Sequence, residues 1–219
     1  MCNGYLKYWV TITFSPYIRL PFTILWVQGN HENYDLIKEY PLTEWHGGRV
    51  RHIVQGKVIL LERGQVFEIE GKRIFTFGGA SSHDIEGGIL NRQDPMFAEK
   101  RKYCKKYGKR YRILHETWWE EELPTEEEMQ EGLHNLKKVG FCVDYVITHC
   151  MSNRMQKQLE QYYVVKGMEK RDLPEDRLTD YFDRLEDRLN FGHWYCGHYH
   201  CNAELDERHS ILYRSVQAL

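Results

Sequence analysis

Short apolar runs that end abruptly in polar residues recur along the chain and predict the buried strands of an α/β fold. Residues 22–27 (FTILWV) are continuously apolar, which favours a strand covered on both faces, and residues 143–148 and 194–196 predict two further strands. Polar side chains that include histidines follow each run. Because ligands in open α/β sheets bind outside the carboxyl ends of the strands, we expect these polar loops to meet at one sheet edge.

Further strands are indicated by short segments rich in β-branched and aromatic residues, at 58–61, 65–69, 73–77, 201–206 and 211–216. Arg63-Gly64 is a turn sequence between the first two segments, and we expect those two strands to form a hairpin. The last two segments are expected to close the fold.

Helices are predicted by apolar residues at helical spacing and by capping patterns. Residues 33–40 suit a short helix, and residues 175–190 suit an amphipathic helix with a solvated charged face. Thr125 and Glu128 form the pattern of a capping box, in which each residue satisfies a backbone N–H of the other. Gly140 suits the position just after the end of that helix.

Composition narrows the function classes without selecting one. The chain has 219 residues, 30 Lys+Arg and 32 Asp+Glu, so a generally basic nucleic-acid coat is excluded. We expect one domain over 1–219, with an atypical segment at 1–20 and a charged insertion at 91–124.

The N-terminal apolar stretch is interrupted by Pro16 and Pro21, which excludes a membrane span. No CxxC pair occurs among the six cysteines, and a reduced, cytoplasmic setting is expected.

Several features have a structural interpretation and a functional one. The basic run at 100–112 is expected to be a solvated helix face rather than a nucleic-acid surface. Trp118 and Trp119 are expected to pin the insertion to the body of the fold. The cysteines beside the histidines lack the paired spacing of zinc sites and are expected to be buried thiols: Cys150, Cys196 and Cys201.

The polar residues after the three main strands form the candidate site, and they are Asn30, His31, His149, His198 and His200. Neutral imidazoles and an amide oxygen are plausible ligands of Mn, Fe, Zn or Co. We expect Gly29 and Gly197 to allow the sharp turns that present these side chains together.

The ordered set Gly29-Asn30-His31-Glu32, Thr148-His149 and Gly197-His198-Tyr199-His200 resembles the motifs of the calcineurin-like metallophosphoesterase family. The resemblance covers residues 22–219 and implies a two-layer β-sandwich flanked by helices. It also implies two divalent metal ions that hydrolyse a phosphate monoester or diester with metal-activated water. The implied substrate is a phosphorylated small molecule, protein or nucleotide, with no membrane partner.

The resemblance also implies a role for each residue of the candidate site. Asn30, His149 and His198 would be ligands of the second metal, and His200 would be a ligand of the first. His31 would be the catalytic histidine that stabilises the phosphoryl oxygen and protonates the leaving group.

Two neighbouring residues receive weaker assignments. Glu32 would lie behind His31 and orient its imidazole with a hydrogen bond, as the family resemblance implies. His83 follows Gly78-Gly79 in a flexible loop, and both an ordinary loop residue and a substrate contact stay open for it.

The chain departs from the family pattern at its N-terminus. The family has Asp-x-His and Gly-Asp-x-x-Asp segments before the Gly-Asn-His segment, whereas residues 1–30 contain no Asp, Glu or His. We therefore expect an N-terminally incomplete member whose first metal site keeps only His200 and whose second lacks a bridging carboxylate. Two hypotheses stay open: an impaired metal-dependent phosphoesterase, and a non-catalytic remnant of the same fold that binds metal or a phosphate ligand.

Overall fold

A computed structural model describes residues 19–168 and 173–219 of the chain. In these two stretches the protein is a mixed α/β structure with a four-stranded sheet, a six-stranded sheet and a two-stranded ladder. Five α-helices accompany the sheets in the described residues. The atypical N-terminal segment expected at 1–20 lies almost wholly outside the described residues.

The four-stranded sheet has the order β1-β4-β3-β2, with strands β1 Ile24–Trp26, β2 Leu42–Trp45, β3 Gly48–Val54 and β4 Val58–Leu61. The prediction of a fully covered strand at 22–27 is wrong in extent and in burial. Strand β1 has three residues, and Leu25 within it is 38% exposed. The reason is its position, because β1 is the outermost strand of this sheet in the described chain and pairs only with β4.

The six-stranded sheet has the order β11-β12-β10-β9-β6-β5, with strands β5 Gln65–Ile69, β6 Lys72–Phe77, β9 Cys142–Thr148, β10 Asn190–Cys196, β11 Ala203–Glu204 and β12 His209–Ile211. Strands β6, β9, β10 and β12 are parallel neighbours, so their carboxyl ends share one edge. The closing strands are shorter than predicted, and β12 ends at Ile211 where a strand was expected to begin. Strands β7 Ile89–Leu90 and β8 Arg112–Ile113 form the separate ladder.

The predicted hairpin between 58–61 and 65–69 is wrong, because β4 and β5 belong to different sheets. The segment between them crosses from one sheet to the other, and the buried side chain of Arg63 anchors it by donating to the Gly78 carbonyl at 2.9 Å. The hairpin is formed instead by β5 and β6. Glu70 and Gly71 make its turn with φ angles of 49° and 76°, as a type I′ turn requires.

The helices are α1 Tyr34–Lys38, α2 Phe97–Lys106, α3 Glu126–Lys138, α4 Asn153–Val165 and α5 Arg177–Glu186, with a 3₁₀ turn at Glu120–Glu122. The capping box of Thr125 and Glu128 is confirmed, and Gly140 has a left-handed φ of 66° just beyond the helix. The amphipathic helix predicted at 175–190 is α5, which starts later because Asp176 caps its first turn.

Two main apolar layers hold the sheets in place. Between the sheets, Val50 and Ile59 pack with Leu61 and Phe67. On the other face of the six-stranded sheet, helices α3, α4 and α5 cover a larger core that includes Phe77, Leu136, Leu159, Phe182 and Trp194. The larger core packs against β6, β9 and β10, and the smaller one joins β3 and β4 of the first sheet to β5 of the second.

The structure also shows the burial of the cysteines and of Trp119. Cys150 and Cys196 are buried free thiols, as predicted, and burial raises the pKa of both. The prediction is wrong for Cys201, a free thiol that is only partly buried. Trp119 is buried and donates to Asp35 Oδ2 at 2.7 Å, so it pins the charged insertion as expected. No helix in the described residues is both long enough and apolar enough to cross a membrane.

Candidate functional site

Two of the predicted site histidines follow neighbouring parallel strands. His149 comes directly after β9, and His198 lies two residues beyond the end of β10. The backbone N–H of Gly197 donates to the His149 carbonyl at 3.0 Å and ties the two loops together. The imidazole rings of His149 and His198 lie with centroids 5.1 Å apart. Parallel pairing thus brings together residues that are far apart in the chain.

Asn30 reaches this edge from the other sheet. It follows β1, so the prediction that all the polar loops meet at the edge of one sheet is wrong. The loops of the two sheets are joined by a hydrogen bond from the Gly79 N–H to the Gln28 carbonyl at 2.9 Å. A Cβ atom on Gly78 would lie 2.5 Å from that carbonyl oxygen, so a glycine is required there. The site is therefore built between two sheets.

Gly29 is needed for a reason different from the one predicted. A Cβ atom at Gly29 would lie 2.9 Å from Cε1 of His149, so the glycine lets the imidazole pack against the backbone. The left-handed residues of the other loop are His198 and His200, with φ angles of 65° and 54°, whereas Gly197 has no such angle. Non-glycine residues pay a steric cost in this region, and such strain clusters at functional sites.

Three potential ligand atoms converge in the interior of the site. His149 Nε2 lies 3.2 Å from Asn30 Oδ1 and 3.3 Å from His198 Nδ1. Ligands bound to one cation at about 2.0–2.2 Å lie roughly 3–3.5 Å from each other, and each of these two separations from His149 Nε2 falls in that range. The predicted convergence of Asn30, His149 and His198 is present in the structure.

The electrostatics of the site keep its interior imidazoles neutral. Burial, reinforced by the neighbouring imidazoles, lowers the pKa of His149 to about 4 and that of His198 to about 2. Metal binding requires the neutral imidazole, so at neutral pH both rings are in the form that can act as a ligand.

His31 lies beside these atoms at the surface of the site. Its Nε2 atom is 3.3 Å from Asn30 Nδ2 and 3.5 Å from Arg112 Nη2. Both neighbours are donor groups, so Nε2 faces them as an acceptor. Burial and the Arg112 charge lower the pKa of His31. Arg112 itself forms an ion pair with Asp84, with Nε 3.0 Å from Oδ1.

Glu32 has a different partner from the one expected. Its Oε1 atom accepts a hydrogen bond from the Gly29 backbone N–H at 3.0 Å, and the expected bond to His31 is not among the contacts of the described residues. Burial raises the pKa of Glu32. The Gly29 carbonyl in turn accepts from the Tyr34 hydroxyl at 2.6 Å. Glu32 and Tyr34 therefore hold the turn that carries Asn30.

His83 and His200 line the same cavity, which has a volume of about 130 Å³. His83 is exposed, and its ring meets that of His198 edge-on with centroids 5.6 Å apart. His200 is also exposed and stacks on Tyr213 at a centroid distance of 5.1 Å. The structure places both residues at the site, and their roles as substrate contact and first-metal ligand stay predictions.

Three residues near the site were missed at the sequence level: Ser82, Arg112 and Glu122. Asn30 Nδ2 donates to Ser82 Oγ at 3.1 Å, and the Ser82 N–H donates to Glu122 Oε2 at 3.1 Å. Burial raises the pKa of Glu122 to about 7. No local signal identifies Glu122, because it ends a run of three glutamates that is typical of a solvated surface. Arg112 is the last residue of the basic run at 100–112, for which the sequence predicts only a solvated face.

Among the residues that the structure describes, no group of three or more His, Cys, Asp or Glu side chains is arranged to hold a metal ion. The convergent donors are two imidazoles and one amide, Asn30 with His149 and His198, and this set fits a single cation. The described chain does not provide a comparable second set around His200, which has no carboxylate partner among its contacts.

Comparisons with models of known protein families, with curated proteins and with solved structures found no match for this chain.

Proposed function

We propose that the chain is a phosphoric ester hydrolase of the calcineurin-like metallophosphoesterase type that works with a divalent transition metal ion. The observation that carries this proposal is the approach of Asn30 Oδ1 and His198 Nδ1 to His149 Nε2, at 3.2 and 3.3 Å respectively. The order of these residues along the chain, each after a strand, supports the same family.

In the proposed mechanism, the interior of the cavity binds a cation and the open side contacts the phosphoryl group. A divalent cation supplies Lewis-acid polarisation of the phosphoryl group and activation of water when bound. Asn30, His149 and His198 would hold it, since the buried imidazoles are neutral and present lone pairs. The cavity is small and suits a phosphoryl group rather than a whole nucleotide or peptide, which would extend into solvent.

His31 and Arg112 would act on the phosphoryl oxygens from the open side. The guanidinium of Arg112 offers charge-assisted N–H donors to an anionic oxygen. His31, when protonated, would donate a proton to the leaving oxygen as a general acid. Its lowered pKa makes the imidazolium a stronger acid than a free histidine, which helps expulsion of a poor leaving group.

The direct test measures metal binding and hydrolysis on the whole chain. Titration with Mn²⁺ and Co²⁺ should show a bound cation, and the loaded protein should hydrolyse nitrophenyl phosphate or bis-nitrophenyl phosphate. A His149→Ala variant should lose both properties. The proposal fails if none of Mn²⁺, Co²⁺, Zn²⁺ and Fe²⁺ binds at millimolar concentration, or if His149→Ala hydrolyses as fast as the unmodified protein.

A second candidate is a non-catalytic protein that binds metal or a phosphate ligand at the same cavity. The observation that favours it is the absence of a carboxylate among the three convergent donors, because a neutral donor set offsets little of a cation's charge. Binding of Mn²⁺ or inorganic phosphate without any hydrolysis would select this candidate.

A further inference from the structure

The side chain of Asn30 has two ends of almost equal shape and opposite chemistry. Its Oδ1 atom accepts hydrogen bonds and can bind a cation, whereas its Nδ2 atom only donates. A rotation of the amide by half a turn would place Nδ2 toward His149 and remove the ligand atom. Acceptors beside Nδ2 must therefore select the orientation, and His31 Nε2 at 3.3 Å is one of them.

The second acceptor lies on the side of Asn30 that faces away from His149. There, Nδ2 donates to the hydroxyl oxygen of Ser82 at 3.1 Å. A serine hydroxyl can also donate, so Ser82 by itself does not discriminate between the two ends of the amide. Ser82 distinguishes Oδ1 from Nδ2 only if its hydroxyl hydrogen is already donated to another acceptor.

Glu122 is that acceptor. Its Oε2 atom accepts from the Ser82 backbone N–H at 3.1 Å, and hydrogen bonding from the Ser82 side chain also acts on this carboxylate. Above its pKa of about 7 the Glu122 carboxylate is ionised, so it can accept and cannot donate. In that state the Ser82 hydroxyl hydrogen would turn to Glu122, and the hydroxyl lone pair would be left for Asn30 Nδ2.

Glu122 is itself held in place. Glu122 is only 2% exposed. Its backbone carbonyl accepts a hydrogen bond from the Ala80 N–H at 3.1 Å. The same carbonyl receives Arg63 Nη2 at 3.4 Å. The end of the charged insertion is therefore fastened to the loop that carries Ser82.

We propose that Glu122 is a positioning residue that acts through Ser82 to select the amide orientation in which Asn30 Oδ1 faces His149 and His198. The orientation itself does not depend on the proposed function, but its consequence for metal binding rests on that function. The segment at 91–124 would then be a working part of the site, since it orients one ligand.

The first experiment needs no metal. In the ¹⁵N-labelled full chain, the Asn30 side-chain amide signals are identified by their loss in Asn30→Asp, and their exchange with water is measured. At pH 8, Glu122→Gln and Ser82→Ala should each speed this exchange about tenfold, because Nδ2 loses its fixed acceptor at Ser82 and keeps only His31. Ser81→Ala is the matched control, since the Ser81 hydroxyl donates to Asp176 at 2.6 Å and not toward Asn30.

The second experiment measures Co²⁺ affinity in two backgrounds. Glu122→Gln should weaken binding about tenfold when residue 30 is Asn and less than about twofold in Asn30→Asp, whose two oxygens are equivalent. Ser82→Ala provides the same comparison if the Gln variant does not fold.

The results separate the two proposals. Unchanged amide exchange in both Glu122→Gln and Ser82→Ala would overturn the positioning role, and so would an equal loss of Co²⁺ affinity in both backgrounds. Absence of Co²⁺ binding to the unmodified protein would overturn the proposed function, and the amide exchange would still decide the role of Glu122.

Discussion

His149 Nε2 lies 3.2 Å from Asn30 Oδ1, although the two residues are 119 positions apart in the chain. Asn30 follows a strand of the four-stranded sheet, and His149 follows a strand of the six-stranded sheet. Their contact depends on the packing of one sheet against the other and on the missing side chain at Gly29. The candidate site is therefore sensitive to small changes in backbone spacing.

Gly29→Ala should disturb the site by pushing His149 away. The new methyl group would lie 2.9 Å from the imidazole Cε1, so we expect a loss of about 1–3 kcal/mol in the free energy of unfolding. Urea denaturation measures this loss. Gly197→Ala is the matched control, because its Cβ atom would meet nothing closer than 3.8 Å and should cost less than about 1 kcal/mol. Equal costs for the two variants would contradict the steric explanation.

His31→Ala and His198→Ala should separate catalysis from metal binding. His198 contributes one of the convergent ligand atoms, so its loss should weaken Mn²⁺ affinity more than about 100-fold. His31 faces the open side, so its loss should leave metal content nearly unchanged and slow hydrolysis by about 100-fold or more. Metal analysis after dialysis and a nitrophenyl phosphate assay give the two readouts. The reverse pattern would exchange the roles assigned to these histidines.

The number of metal ions per chain is expected to be one. Only one set of donors converges in the described residues, and His200 is exposed and stacked on Tyr213. His200→Ala should therefore leave both the stoichiometry and the affinity of the tight site nearly unchanged. Calorimetric titration with Mn²⁺ measures both quantities. Two tight sites, one of them lost in His200→Ala, would instead establish His200 as a ligand of a complete first-metal site.

Glu122 should make the protein less stable as the pH rises. Its pKa is raised from 4.5 to about 7, so between these values the folded state keeps a proton that the unfolded state has lost. The free energy of unfolding should fall over this range by at most about 3 kcal/mol. Glu122→Gln should abolish that fall.

The measurement compares urea denaturation of Glu122→Gln and the unmodified protein at pH 5 and at pH 8. Contributions of the other titrating groups cancel in the difference between the two proteins. Glu120→Gln, at an exposed position of the same turn, should leave the pH dependence unchanged. A stability difference that does not vary with pH would show that Glu122 titrates normally.

Sequence patterns predicted correctly those features that depend on neighbouring residues in the chain. The capping box at Thr125 and Glu128 and the apolar run of β9 were recognised because caps and strand burial depend on neighbouring residues. The hairpin predicted around Arg63-Gly64 was wrong, because turn residues indicate a change of direction and not the sheet in which the next strand lies. The direction is set by Arg63, whose partners come from distant segments.

The chain by itself determined which chemical groups follow its strands: an amide at Asn30 and imidazoles at His149 and His198. Residue type and strand boundaries are short-range properties, and they can be read along the polypeptide. Only the tertiary structure decided that Arg112 approaches His31 and that Glu122 reaches Asn30 through Ser82. These contacts join segments or atoms whose distances follow from the packing of two sheets and an insertion, and no local periodicity encodes them.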